Sequence, residues 1–90
     1  MDDTYIYETL IQILIELFKR SKEDRDVIEN ANLLEDLGMD SIAFITLVIK
    51  LEDAFGIEIS DEWLIMEKFS TVEKIYSAIT VATRIQQGDQ

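Results

Sequence analysis

Cysteine and histidine are both missing from the 90 residues, proline is absent, and glycine occurs three times. Without cysteine there can be no disulfide, thiolate metal site or thiol nucleophile. Without histidine the chain lacks the usual general base near neutral pH and the commonest metal ligand. A free-standing hydrolase or metalloenzyme is therefore not expected; the reading is a protein with no catalytic residue and no metal of its own. With only Gly38, Gly56 and Gly88 as breakers, helices should dominate. Positive charge is scarce as well. Eight Lys and Arg stand against nineteen Asp and Glu, a formal net charge of −11. From Asp26 to Glu67 there are eleven acids and one base, Lys50, whereas the two ends together are nearly balanced. Such a field repels nucleic acid and anionic membranes and draws basic protein surfaces toward the middle of the chain. The plainer use of the same charge is a well-solvated surface.

What is present is enough for one hydrophobic core: 48% of the residues are hydrophobic, and each buried Leu, Ile or Phe contributes roughly 1.5–3 kcal/mol. A single domain over residues 1–90 is expected, with an ordered core from about 4 to 84. Asp2 and Asp3 open the chain, and Glu8, Gln12 and Glu16 interrupt the first apolar run at helical spacing. That pattern fits neither a signal peptide nor a membrane span, so a cytoplasmic location is expected; the chain is also expected to be a monomer.

The apolar spacing predicts four helices. The first runs from about Thr4 to Arg20, with Ile6, Leu10, Ile13, Leu14 and Leu17 inward, and with Lys19 and Arg20 in its last turn against the helix dipole. Residues 21–40 read as a long acidic loop, with short turns near Val27-Ile28 and Leu33-Leu34. The second helix spans about Ser41 to Phe55, placing Phe44, Val48, Leu51 and Phe55 on one stripe and Ala43, Thr46, Lys50 and Asp53 opposite. Gly56 is placed to end it with a left-handed cap. Ile57-Glu58-Ile59 alternates too briefly for a sheet. A short third helix should begin at Ser60-Asp61-Glu62 and carry Trp63, Leu64 and Met66. Ser70-Thr71-Val72-Glu73 matches a capping box for the last helix, which should turn Val72, Ile75, Tyr76, Ile79 and Ala82 inward and fray after Arg84.

Asp40-Ser41-Ile42 lies where the acidic loop becomes the second helix. A serine nucleophile needs a base and an oxyanion site, and the nearest lysine, Lys50, is more than two turns away. Calcium is not expected either, because Asp36-Leu37-Gly38 breaks the alternating ligand pattern of an EF-hand loop between Glu35 and Asp40. Two uses of the serine remain: Asp40 or Ser41 simply caps the helix, or Ser41 carries a phosphate ester at the positive helix end, with Gly38 leaving the approach open.

The run Leu34-Glu35-Asp36-Leu37-Gly38-Met39-Asp40-Ser41-Ile42, followed by Leu47 to Ile59 with its Leu51-Glu52-Asp53-Ala54-Phe55-Gly56 segment, resembles the acyl carrier protein family. The likeness extends through Ser70-Thr71-Val72 into the last helix. It implies an all-α, four-helix acyl-carrier-like bundle with a long loop between helices 1 and 2 and a short third helix. It also implies a covalent 4′-phosphopantetheine on Ser41, transferred from coenzyme A by a separate Mg²⁺-dependent phosphopantetheinyl transferase. Acyl intermediates would ride as thioesters on the thiol of that arm, which accounts for a carrier without cysteine. By the same likeness Asp40 helps the transferase recognise the site, and Ile42, Ile45, Ile49 and Glu52 meet partner enzymes that load and process the chain. Ordinary core packing is the competing reading of the three isoleucines. Phe44, Leu47, Val48 and Leu51 are expected in the core, some of them lining an acyl cleft.

Two departures bear on the pathway. Ala43, Thr46 and Lys50 stand where fatty-acid carriers usually place acids, and Trp63-Leu64-Ile65-Met66 is longer and more apolar than the usual acidic third helix. Both favour a specialised, discrete carrier in polyketide, nonribosomal peptide or fatty-acid-like biosynthesis. An aminoacyl or peptidyl carrier is the alternative within the family, although Gly38-Met39-Asp40-Ser41 is closer to the acyl type. A noncovalent acidic helical adaptor is the alternative outside it.

Overall fold

The computed structural model describes residues 2–87, and over them the ordered elements are all helical. Asp2 opens α1 (Asp3–Leu17) by accepting the Thr4 N–H at 2.8 Å, which pairs one of the donors left free in a first turn. The expected inward residues Ile6, Leu10, Ile13 and Leu14 are buried, and Ile11 and Ile15 join them. α1 packs against all three other α-helices, so its apolar surface is wider than a single stripe. The helix stops at Leu17, earlier than the spacing suggests. Lys19 adopts φ 56°, and the Arg20 N–H donates to the Ile15 carbonyl at 2.8 Å. This is a Schellman-type ending with a lysine where glycine is usual. Lys19 and Arg20 therefore lie beyond the helix instead of in its last turn.

The stretch expected to be loop contains a short helical pair. Asp24 accepts the Ser21 N–H at 3.2 Å, opening a 3₁₀ turn at Lys22–Asp24 that continues into α2 (Arg25–Asn30). One buried side chain, Ile28, anchors α2 from below. On its outer side the Arg25 guanidinium makes a two-pronged contact with Glu8 of α1, both N–O distances 2.7 Å, and reaches Glu29 at 3.3 Å. The Tyr7 hydroxyl donates to Glu29 under the same guanidinium. Hydrogen bonding from Arg25 holds the Glu8 carboxyl below its ordinary range, and Glu8 in turn raises the Arg25 pKa.

From residue 31 to 40 the chain is loop, but it is pinned. Ala31, Leu33 and Met39 are buried, the Leu33 N–H donates to the Ser70 carbonyl at 2.7 Å, and the Met39 N–H donates to the Leu33 carbonyl at 2.9 Å. α3 (Ser41–Phe55) matches its expected bounds and ends on Gly56 at φ 62°. Segment 57–69 then returns across the bundle with Ile57, Ile59 and Phe69 buried. It forms two 3₁₀ turns, Asp61–Trp63 and Met66–Phe69, in place of the expected short third helix. Ile65 is extended between them, at φ −123° and ψ 124°, which prevents one continuous helix.

α4 (Val72–Gln87) buries Val72, Ile75, Ala78, Ile79 and Ala82, with Tyr76 half-buried. It passes the expected fraying point at Arg84; the remainder of the expected polar tail lies outside the described residues. Its cap is Thr71, whose hydroxyl accepts the Lys74 N–H at 3.2 Å. Ser70, expected as the cap, is instead buried, and its hydroxyl accepts from the Lys74 ammonium at 3.2 Å. Among the described residues the bundle thus has four α-helices, and the short one is α2.

Candidate functional site

Asp40 is extended (φ −105°, ψ −174°), and its Oδ1 accepts the Ala43 N–H at 2.8 Å. That settles which of the two adjacent polar residues caps α3. Ser41 is left as the first helical residue, with its side chain exposed. Gly38 holds φ +70°, a conformation that strains any residue with a Cβ. A Cβ added there would meet nothing within 4 Å, so the glycine serves backbone conformation and not clearance. Met39 is buried next to it, so the sharp turn at Gly38 and the anchor at Met39 together aim Asp40 and Ser41 outward.

Beside Ser41 runs a groove of about 470 Å³ lined by Ser41, Phe44, Ile45, Val48, Ile49, Leu64 and Met66. Ser41 is the one polar residue of that lining. Of the four residues expected in core or cleft, Phe44 and Val48 reach the groove, while Leu47 and Leu51 are wholly enclosed. Phe44 rests edge-on against Phe69, with ring centroids 5.3 Å apart, which fixes the groove floor to the returning segment. Leu64 and Met66 form the far wall. Their apolar run is visible in the sequence, but its place opposite α3 depends on the path of segment 57–69.

Ile42, Ile45 and Ile49 are 76%, 57% and 60% exposed, so the core reading of these residues does not hold. Glu52 sits differently: it is half-buried, and its carboxylate accepts the Ile59 N–H at 2.8 Å, tying the returning segment to α3. Thr46 turns its hydroxyl back to the Ile42 carbonyl at 2.9 Å. Among the described residues no group of three or more acids is gathered to hold a metal ion, and no helix is long and apolar enough to cross a membrane.

The domain is a small helical bundle that presents an exposed serine, Ser41, as the first residue of α3 beside an apolar groove. Comparison with known proteins gives the class of such a domain. The family model described as "Phosphopantetheine attachment site" matches residues 8–79, and the chain belongs to that family. It is also 46% identical over 57 residues to an acyl carrier protein of Zymomonas mobilis, an alignment spanning 63% of this chain and 70% of the relative. Members of the acyl carrier protein family are carriers and not catalysts, and they bear covalently attached 4′-phosphopantetheine. Their partners are the enzymes that modify them and the biosynthetic enzymes they serve.

Proposed function

We propose that Ser41 is the attachment point of 4′-phosphopantetheine and that the chain is a discrete carrier of acyl groups, working as a cytoplasmic monomer. The observation that carries this reading is the position of Ser41, exposed as the first residue of α3 and on the rim of a groove whose other lining residues are all apolar. The bound group supplies a terminal thiol on which acyl chains are held as thioesters. The chain's own part is positional: Gly38 and Met39 set the turn, Asp40 caps the helix and stands beside the serine for the transferase, and the α3 N-terminus offers its positive end to a phosphodiester. Attachment forms the bond from Ser41 Oγ to phosphorus, breaks the pyrophosphate bond of coenzyme A, releases adenosine bisphosphate and gives up the serine proton.

An apolar groove favours aliphatic acyl cargo over an aminoacyl group, since burying an ammonium without a partner is costly. Ala43, Thr46 and Lys50 on α3 support service in a specialised polyketide, nonribosomal peptide or fatty-acid-like pathway. Incubation with coenzyme A, Mg²⁺ and a broad-specificity phosphopantetheinyl transferase, followed by intact mass, tests the reading. One phosphopantetheine should be added to the protein and none to Ser41→Ala. No gain in the parent, or a gain that survives the substitution, refutes it. Loading of the modified protein only by amino-acid-activating enzymes would reassign the cargo.

A further inference from the structure

The groove beside Ser41 follows α3 as far as Ile49, a rise of about 12 Å, with Leu64 and Met66 on its other side. Two of its lining residues, Phe44 and Val48, are only 9% and 8% exposed and belong to the hydrophobic core as well. They form its inner side. Leu47, Leu51, Phe69 and Ile75 show no exposed surface, and none of them lines the groove. Phe44 is also not free to swing aside. Its ring meets that of Phe69 edge-on at 5.3 Å, and its N–H donates to the Asp40 carbonyl at 2.8 Å in the first turn of α3. Phe69 is held through the residue after it. The Ser70 carbonyl accepts the Leu33 N–H at 2.7 Å, and the Ser70 hydroxyl accepts from the Lys74 ammonium at 3.2 Å. Parting the two rings therefore gives up their edge contact and exposes buried aromatic surface.

We propose that Phe44, braced by Phe69, closes the floor of this groove and keeps the acyl chain outside the bundle, so that the cargo of this carrier is a short aliphatic group. The proposal rests on Ser41 being the modified residue and deepens that reading to a class of cargo. An octanoyl chain laid out straight is about as long as the groove. It is covered from within by Phe44 and Val48 and from the side by Leu64 and Met66. A palmitoyl chain outruns that cover, and its methylenes beyond the end of the groove stay in water and add nothing to stability. To go deeper, the chain has to part the rings and displace enclosed side chains, in an interior packed as densely as an organic crystal.

The test loads the full chain from butyryl-, octanoyl- and palmitoyl-coenzyme A with a broad-specificity phosphopantetheinyl transferase, which passes the acylated arm whole to Ser41. Intact mass verifies each product, and thermal circular dichroism gives its Tm. The octanoyl form should melt at least about 4 °C above the butyryl form, and the palmitoyl form less than about 4 °C above the octanoyl form. Enclosing only two further methylenes would add about 6 °C or more. In the parent, nuclear Overhauser contacts from the terminal methyl of the octanoyl chain should reach Val48, Leu64 or Met66 and neither Leu47 nor Leu51. Phe44→Ala removes the floor: its palmitoyl form should gain more than about 4 °C over its octanoyl form, with chain contacts to Leu47 or Leu51. A palmitoyl gain above about 4 °C in the parent, octanoyl and butyryl forms that melt together, or chain contacts to Leu47 or Leu51 in the parent overturns the proposal. So does a folded Phe44→Ala protein that still excludes the palmitoyl chain, and the parent measurements decide the matter even if that variant does not fold. Loading with the chain buried in the bundle sinks only the closed floor, whereas no mass gain from any of the three donors sinks the carrier reading along with it.

Discussion

Replacing Met39 by alanine should damage both stability and the presentation of Ser41. Met39 is 4% exposed and lies between the left-handed Gly38 and the capping Asp40. Its N–H donates to the Leu33 carbonyl and the Leu33 N–H donates to the Ser70 carbonyl, so the backbone ties the serine's loop to the residues just before α4, and the buried Met39 side chain seats the same loop in the core. Truncating a buried Met to Ala costs about 2–5 kcal/mol through lost contacts and the cavity left behind. Against a typical total of roughly 5–15 kcal/mol, that is a large fraction. A loss of about 3 kcal/mol would lower Tm by roughly 12–24 °C in a domain of this size. Met39→Leu keeps the volume and should cost under about 1.5 kcal/mol. Thermal circular dichroism gives the stabilities. Transferase kcat/KM, taken at a temperature where all variants are folded, reports the presentation of Ser41 and should fall for Met39→Ala while Met39→Leu stays near the parent. A Met39→Ala protein melting within about 3 °C of the parent would refute the anchoring role, since even 1 kcal/mol shifts Tm by more than that. Unchanged kcat/KM would refute the link to Ser41.

Glu52→Ala should lower stability by about 1.5–3 kcal/mol in urea denaturation, because it removes a charged acceptor from the Ile59 N–H. Glu52→Gln, which keeps an acceptor oxygen, should recover most of that loss; equal stability of Glu52→Ala and the parent would return Glu52 to partner recognition alone. The Tyr7 hydroxyl is pushed up to about 12, first by burial and then by the Glu29 carboxylate that accepts its hydrogen bond. A phenol whose folded pKa is raised stabilises the fold fully below the unfolded value near 10, and this contribution is lost as pH rises through about 12. Spectrophotometric titration of the parent minus Tyr7→Phe should isolate this late ionisation from Tyr76, which burial also raises. A difference titration centred near pH 10 would contradict the arrangement.

Much of the architecture was legible because long amphipathic segments carry strong periodic signals. α3 was read to its ends: Asp-Ser at its start and glycine at its close are local signals, and both are used. α2 was not legible. Its six residues bury only Ile28, which produces no helical period, and what stabilises it is a set of contacts to Glu8 and Tyr7 on another helix. The end of α1 is hidden in the sequence for a different reason, since Lys19 occupies a left-handed position that ordinarily announces itself with glycine. At the site, Ser41 at the start of α3 is readable in the sequence, whereas Ile42, Ile45 and Ile49 on its flank stand open there between core and surface. Leu64 and Met66 as the opposing wall were not legible, and neither was the tie from Glu52 to Ile59.

The sequence by itself determined that this protein could not act through cysteine or histidine, that it would be helical, and that one serine would stand at the start of an apolar helix. Those properties follow from residue chemistry and from spacing within single segments. The tertiary structure alone decided that Asp40 and not Ser41 caps that helix, that Phe44 and Val48 face a groove while Leu47 and Leu51 are enclosed, and that Ile42, Ile45 and Ile49 remain outside. Each of these depends on what a second segment covers. A helical period places residues on a face, but only the packing of α1, α4 and the returning segment against α3 determines which parts of its surface lose contact with water.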